Sequence, residues 1–558
     1  MDTLEMVQEK EKDLSRLYAR MDADRSMVYL DPYIMKDKTG REVTGIIKVT
    51  LNKPAVFAAN VIAALTAAVE QIEVQSESRS FDTVTVEEFQ RAVWKQANGL
   101  LMVKDMPDLD SFAVSQLCLR GRVAALCACH YGEGEESGIF KPDIVPWDTR
   151  HVAFDWGGKG LEWASYRMLK GKRLIEREYN KVIKDRSASV LDVWFEDHNE
   201  VWLDKEKIFE QEHPYGEVPV VVSVVPLGYG NSLMDENRVA FEGESIFFMI
   251  RSIVPELNRL ASIMQTINMH AVKTSYTYLN EGGKVGTPPN YEEMAAPGAI
   301  TPIGLNERLD PLVVQDIQRS ALQLYGMLEK AEEQGSLSAI DLGTLQFELS
   351  AIALIQLGEG RDQVFQPRLS AKAMFKDRLA RMFTRQIIAL GGSVDVGMEG
   401  HKRSFATEKL KGEYTTTYKY YPKSPKIDMA RMSLAQIARE FYDEDTIRAD
   451  VLQVEDPKKI RAQRYYDLAE KMSPLLLRNR VIKALAEIDP FEAKLMAMES
   501  GQTLKAILAG ELPPPEVQQP KEAPPMLPMM LKAGGTEVTS ARKAAQVQQT
   551  PQEEVVTK

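Results

Sequence analysis

Residues 244–273 read ESIFFMIRSIVPELNRLASIMQTINMHAVK, with apolar Ile246, Ile250, Ile253, Leu257, Leu260, Met264 and Ile267 recurring at the spacing of one helix face. That spacing predicts a helix over Glu244 to Lys273, kinked or restarted at Pro255. A β-rich run at Tyr276, Thr277 and Tyr278 follows, then turn residues Gly282, Gly283, Gly286, Pro288 and Pro289, and a short strand expected around Ala299 to Ile303. This insertion is too small to bury a core of its own. A second helix is expected over Leu312 to Gln334 with Gly335 as its C-cap, then a loop from Ser336 to Gly343. A third helix is expected from about Thr344 to Leu390, bent at Gly358, Gly360 or Pro367. Two antiparallel helices tipped by so small a β unit have little to pack against except copies of themselves.

Toward the N-terminus, a charged helical arm from Leu4 to Met21 leads to a β-prone stretch, Gly45 to Leu51. A helix is then expected from Pro54 to Val74, with Phe57, Val61, Leu65 and Val69 as its core face. Two more are expected over Glu87 to Leu101 and Ser111 to His130, the second capped by Asp108 or Asp110. From Ile144 the texture changes to short strands. Lys170-Gly171-Lys172 and Asp197-His198-Asn199-Glu200 read as the turns of two hairpins in a half-exposed antiparallel sheet rich in tryptophan. His213-Pro214-Tyr215-Gly216 is a turn feeding a buried strand, Val218 to Val222. Beyond Leu390, a Gly-rich connector precedes a tyrosine-rich β-prone run, Arg403 to Tyr421. Helices are expected over Ile427 to Phe441, Asp443 to Val451, Pro457 to Met472, Pro474 to Glu487 and Phe491 to Leu508. The Pro-rich tail from Gly510 to Lys558 has the composition of disorder.

The chain has 558 residues, 44% of them hydrophobic, enough for two to four folding units with ample core. Its net charge of −12 argues against a protein that grips nucleic acid over a broad basic face. The same sign is compatible with a channel wall that repels phosphates so that a duplex slides, and equally with simple solubility. No secretory signal or membrane span is expected, and three cysteines imply a reducing compartment without disulfides. No Walker A cradle, His-Glu-x-x-His pair or Gly-x-Ser-x-Gly elbow occurs. Gly132 to Glu136 carries three carboxylates where phosphates would have to sit. Cys127, Cys129 and His130 point to different faces of the expected helix, so the cysteines read as small buried residues. Asp148 and Asp155 bracket a strand as a conceivable carboxylate pair. The expectation is a protein without catalytic residues, metal site or cofactor.

The order of elements from 242 to 390 resembles the stem, clip, second stem helix, tunnel loop and long wing helix of tailed-bacteriophage portal proteins. The run Pro214-Tyr215-Gly216-Glu217-Val218-Pro219-Val220-Val221, just before the first long helix, is similar to the wing-domain end of siphophage-type portals. The resemblance implies an α+β, mainly helical chain: wing 1–240, stem helix 241–273, clip 274–311, second stem helix 312–335, tunnel loop 336–343, long wing helix and returning strand 344–425, helical crown 426–509 and disordered tail 510–558. It further implies a homo-oligomeric ring of about twelve copies at one capsid vertex, through which double-stranded DNA passes without sequence specificity. Terminase, major capsid and scaffolding proteins, and head-completion or tail adaptor proteins would be the partners, in a virion assembled in the host cytoplasm. Channel residues would include Gln334, Ser336, Ser338 and Asp341, with Arg251, Arg259 and Lys273 as cationic points; inter-subunit ion pairing is the alternative use of those three. Tyr276, Tyr278, Lys284 and Tyr291 would lie on the clip as docking residues. The competing classes are an intracellular helical scaffold or adaptor, against which Pro255 and the lack of sustained heptads weigh, and a metal-dependent nuclease.

Overall fold

The computed structural model describes residues 2–78, 81–132, 138–226, 242–272, 276–280, 307–311, 318–336, 351–398, 400–422, 425–499 and 502–509. The chain forms two compact units, residues 1–462 and 463–558. The described residues are α+β and mainly helical, as expected. The expected strand at 299–303 and the Pro-rich tail lie outside them.

The first unit opens with α1 (Thr3–Asp13) and α2 (Ser15–Val28), followed by α3 (Lys53–Thr66). Phe57, Val61 and Leu65 form the buried face of α3, but the helix expected to reach Val74 stops short. Val69, Ile72 and Val74 belong instead to strand β1 (Val69–Gln75), where β-branched side chains suit a pleated surface. Helices α4 (Thr83–Val103) and α5 (Leu109–Leu119) are capped by Asp82 and Asp108, whose carboxylates accept the N–H groups of Thr85 and Ser111. The helix expected over 111–130 also ends early. Gly121 turns the chain at φ +73°, and Arg122–Tyr131 is strand β2.

Strand β2 lies between β3 (Phe140–Trp147) and β9 (Val220–Val224) in an antiparallel sheet. A five-stranded antiparallel meander runs β4 (Val152–Trp156), β5 (Leu161–Gly171), β6 (Ser187–Trp194), β7 (His198–Leu203) and β8 (Glu206–Glu212). A hairpin forms near the expected Asp197 to Glu200, but its turn is Phe195 to Asp197; His198, Asn199 and Glu200 belong to β7, with Trp194 opposite Asn199. The one expected at Lys170 to Lys172 does not. Lys172–Tyr179 is helix α6, made of strong helix formers around buried Ile175 and ended by Asn180 in the left-handed region. The arm α1–α2 buries Leu4, Val7, Leu14, Leu17 and Met21 against Trp163, Leu191, Val193 and Trp202 of the meander.

Helix α7 (Ile253–Val272) begins nine residues later than its apolar spacing predicts. Ser245 and Glu244 are engaged in side-chain bonds at a buried junction, so 246–252 forms turns before the helix starts. Pro255 then sits in the first turn, where its missing N–H costs no intrahelical bond, and needs no kink. Strands β10 (Tyr276–Asn280) and β11 (Glu307–Pro311) pair antiparallel, Tyr276 opposite Pro311. Helix α8 (Gln318–Gly335) returns along α7. Helix α9 (Ala351–Leu390), with Pro367 inside it, is about 60 Å long. From Phe365 onward it threads the main core, burying Phe365, Leu369, Phe375, Leu379, Phe383 and Ile387 among α3, α4, α5 and the β2 sheet. Each such side chain contributes roughly 1.5–3 kcal/mol.

The β-prone run after α9 holds two strands, β13 (Arg403–Ala406), paired with β12 (Ser393–Val396), and β14 (Thr415–Tyr421), which returns to pair with β1. Helix α10 (Pro425–Ala438) follows, then a short helical turn at 444–451 and α11 (Pro457–Met472), started by Asp456 as its carboxylate accepts the N–H of Lys459. In the second unit α12 (Pro474–Ile488), α13 (Pro490–Glu499) and α14 (Leu504–Ala509) bury Ile482, Ala493, Ala497 and Ile507 together. The last two replace one expected helix, because Thr503 caps α14 by accepting the N–H of Ala506.

Candidate functional site

The helical hairpin α7–α8 is rooted in the core at one end and carries the β10–β11 pair at the other. Its root is a buried ionic cluster. Arg251 grips Asp24 through two bonds, Nε to Oδ1 at 2.7 Å and Nη2 to Oδ2 at 3.0 Å, and reaches Glu244 Oε2 at 2.8 Å. The Ser245 hydroxyl donates to Asp24 at 2.7 Å. Arg368 of α9 donates to the backbone carbonyls of Glu244 and Ser245 at 3.2 and 2.6 Å, and Arg20 of α2 to that of Gly243 at 2.7 Å. Arg122 meets Glu242 at 2.7 Å. Asp24 and Glu244 are fully buried, so their charges are tolerable only because guanidinium groups close around them. Burial lowers the Arg251 guanidinium, but the Asp24 and Glu244 carboxylates outweigh it and hold it above its ordinary value. Burial pushes Arg20 down to about 10, which leaves it charged at neutral pH.

A second device fixes the flank of α7. The stretch 45–51, expected to be β-prone, leaves a turn at Gly45 (φ +80°) and joins no sheet; it lies along α7 as a strap. The N–H groups of Ile47, Val49 and Leu51 donate to Thr266 Oγ1, Ser262 Oγ and Asn258 Oδ1 at 2.9, 3.0 and 2.9 Å. The match is geometric: four residues of helix rise about 6 Å, and two residues of extended chain advance roughly 6.6 Å. Ser262 and Thr266 meanwhile donate to carbonyls one turn back, Asn258 O and Ser262 O, both at 2.7 Å. Their hydroxyl protons face the helix, and their lone pairs face the strap.

The far end of α8 closes on the turn before α7. A methyl group on Gly335 would lie 2.8 Å from Ile250 Cγ2 and 3.1 Å from Met249 Cβ, so glycine permits this approach as well as helix termination. Lys53 ties α3 to Glu329 and Glu332 of α8 at 2.8 and 3.3 Å. Leu322, Leu324 and Met327 of α8 nevertheless remain exposed, Met327 at 70%.

These placements distribute the expected site residues unevenly. Gln334 is exposed in the last turn of α8 and Ser336 is half-buried just beyond it, both beside the root. Ser338, Asp341, Lys273, Lys284 and Tyr291 lie outside the described residues. Tyr276 and Tyr278 stand on strand β10, opposite Pro311 and Leu309. Arg251 is committed to the buried cluster within its own chain, and Arg259 forms an exposed pair with Glu256 at 2.5 Å. Cys127 and Cys129, on strand β2 and not on a helix, share a buried face, while His130 is exposed on the other. Asp155 pairs with Lys10, and Asp148 accepts the N–H of Arg150, so each has its own local partner. Asp24, Glu244, Ser245 and Arg368 were not anticipated. The polar ladder Asn258, Ser262, Thr266 had a signal in the sequence: three hydrogen-bonding residues spaced four apart, and so on one face of the helix.

No protein-family model matches the sequence, and no match is found among curated proteins. Among solved structures, the chain is similar to the neck of an empty GTA particle computed with C6 symmetry, at 12% identity and a TM-score of 0.38, over 72% of this chain and 90% of that one. It is also similar to the neck of a native GTA particle computed with C12 symmetry, at 12% identity and a TM-score of 0.37, over the same shares. No helix among the described residues is long and apolar enough to cross a membrane.

Proposed function

We propose that this chain is the subunit of a portal-type ring at the head-to-tail junction of a phage-like particle. The observation that carries the reading is the α7–α8 hairpin: rooted by buried ion pairs, tipped by a two-stranded sheet, and leaving Leu322, Leu324 and Met327 uncovered in the single chain. In a ring, neighbouring hairpins would cover those side chains. The hairpins would line an axial channel for double-stranded DNA, narrowed by the loop from Ser336 to Gly343. The β10–β11 tip, with Tyr276 and Tyr278, would carry the docking surface for terminase during packaging and for head-completion or tail proteins afterward. The acidic balance of the chain favours a wall that does not hold the duplex. No catalytic step is assigned to the subunit; its work is to shape a passage. Replacing Ser336 to Asp341 with a rigid, bulky segment tests the channel assignment: packaging should fall while ring assembly persists. Unchanged length and yield of packaged DNA would sink it.

A further inference from the structure

Away from the hairpin, β7 and β8 bring together a constellation that the ring reading does not use. His198 and Glu200 are two apart on β7 and share a face, and Glu210 stands directly opposite Glu200 on β8. One ligand atom from each, an imidazole nitrogen and two carboxylate oxygens, lies within 4.8 Å of the others. Its third member, Glu210, lies on another strand, and the pairing that brings it to His198-x-Glu200 leaves no mark in the sequence. We propose that His198, Glu200 and Glu210 form a site for a divalent transition-metal ion of borderline softness, of which Zn²⁺ is the type.

Three features beyond proximity support the assignment. The Asp197 carboxylate lies 2.6 Å from His198 Nδ1, which fixes the ring and leaves Nε2 directed toward Glu200 Oε1 at 3.8 Å. A carboxylate on the outer nitrogen is the usual support of a metal-ligating histidine. Glu200 is buried, and its Oε2 accepts the indole N–H of Trp202 at 3.0 Å, so one oxygen is oriented while the other, Oε1, faces the cation position. Finally, the position between the two glutamates already holds a cation: Lys207 Nζ is 3.1 Å from Glu200 and 2.9 Å from Glu210. Lys207 is an exposed, flexible residue of edge strand β8 and can swing into solvent as a metal takes its place. Tetrahedral ligands about 2.1 Å from zinc stand roughly 3.4 Å apart, so the three groups must close by only about 1.5 Å. Water would complete the coordination. Bound metal would pin the edge strand to its neighbour.

The test uses the full chain, freed of metal by chelation and titrated calorimetrically with ZnCl2. One zinc per chain is expected, with hydrogen exchange of the 206–212 amides slowed only when zinc is present. Glu210→Gln, at an exposed position, should weaken binding at least tenfold, and Asp197→Asn by roughly 10-fold through the ring it supports. Lys207→Met should strengthen binding, because the competing ammonium is gone. That last variant separates a ligand site from a merely structural cluster. Absence of saturable binding, or wild-type affinity in both Glu210→Gln and Lys207→Met, overturns the proposal, as does zinc binding that leaves 206–212 exchange unchanged.

Discussion

Replacing the ladder on α7 with Asn258→Ala, Ser262→Ala and Thr266→Val together should release the strap 45–51 while leaving the core in place. Each substitution removes one acceptor from a half-buried strap N–H at 2.9 to 3.0 Å. A net contribution of about 1 kcal/mol per bond gives about 3 kcal/mol for the set. The carbonyls that lose a hydroxyl donor keep their intrahelical amide partners, so the change falls on the strap. At 1.4 kcal/mol per decade, strap amides should exchange about 150-fold faster in the triple variant and about fivefold faster in each single one. Hydrogen exchange read by mass spectrometry on peptides covering 45–52 measures this directly, with the α9 peptides from Phe365 onward as an internal standard that should not move. Strap exchange unchanged in a folded triple variant would refute the reasoning, since it would mean that other contacts hold the segment. Loss of α9 protection along with the strap would show that the two are one cooperative unit.

Other perturbations probe the frame around the hairpin. Gly121→Ala should be severely destabilising, measured by thermal unfolding, because the new methyl would lie 1.8 Å from the Gly243 carbonyl oxygen at a φ of +73°; Gly99→Ala, in helix α4 with nothing within 4 Å, should stabilise by about 0.4–1 kcal/mol. Asp110→Asn removes the carboxylate between Lys372 and Lys376, which it meets at 2.9 and 3.1 Å, and should cost about 3–5 kcal/mol in denaturant unfolding by leaving buried Lys376 with Glu70 as its carboxylate and buried Lys372 over the Tyr420 ring. Burial raises the Asp192 carboxyl to about 6, so the folded state binds its proton more tightly than the unfolded chain does. Its contribution is therefore fully present below pH ~4 and lost as pH rises through about 6. Asp192→Asn should abolish that fall and raise stability at pH 7 relative to the parent, and an identical pH profile in the variant would contradict the assignment.

The hairpin was legible because helix period and turn residues are local. Ile246 to Ile267 keep their spacing through Pro255, and the Tyr276 run stands out by composition. The helix start was not legible, because the register of apolar residues says nothing about Ser245 bonding Asp24, 221 residues away in sequence, or Glu244 bonding Arg251. The same blindness to long-range pairing merged α3 with β1, whose partner is Tyr418 and its neighbours, and α5 with β2, whose alanines and cysteines have no strong preference of their own. Lys170 to Lys172 misled in the opposite direction: a Gly between lysines reads as a turn, but Arg173 to Glu178 hold a helix by intrinsic propensity. Of the candidate channel residues, Gln334 and Ser336 fall together at the end of α8 beside the root, whereas Arg251 is consumed inside the chain. A positive charge in sequence carries no sign of whether a buried carboxylate will claim it.

Under the proposed function, these chains close into a ring around a channel. Light scattering for mass and class averages of stained particles for symmetry, made on the purified full chain at high concentration, test it most directly. The expected result is a closed ring of about twelve subunits with an open axial hole and α7–α8 at its wall. A monodisperse monomer or dimer, with Leu322 and Met327 still open to solvent, would contradict it.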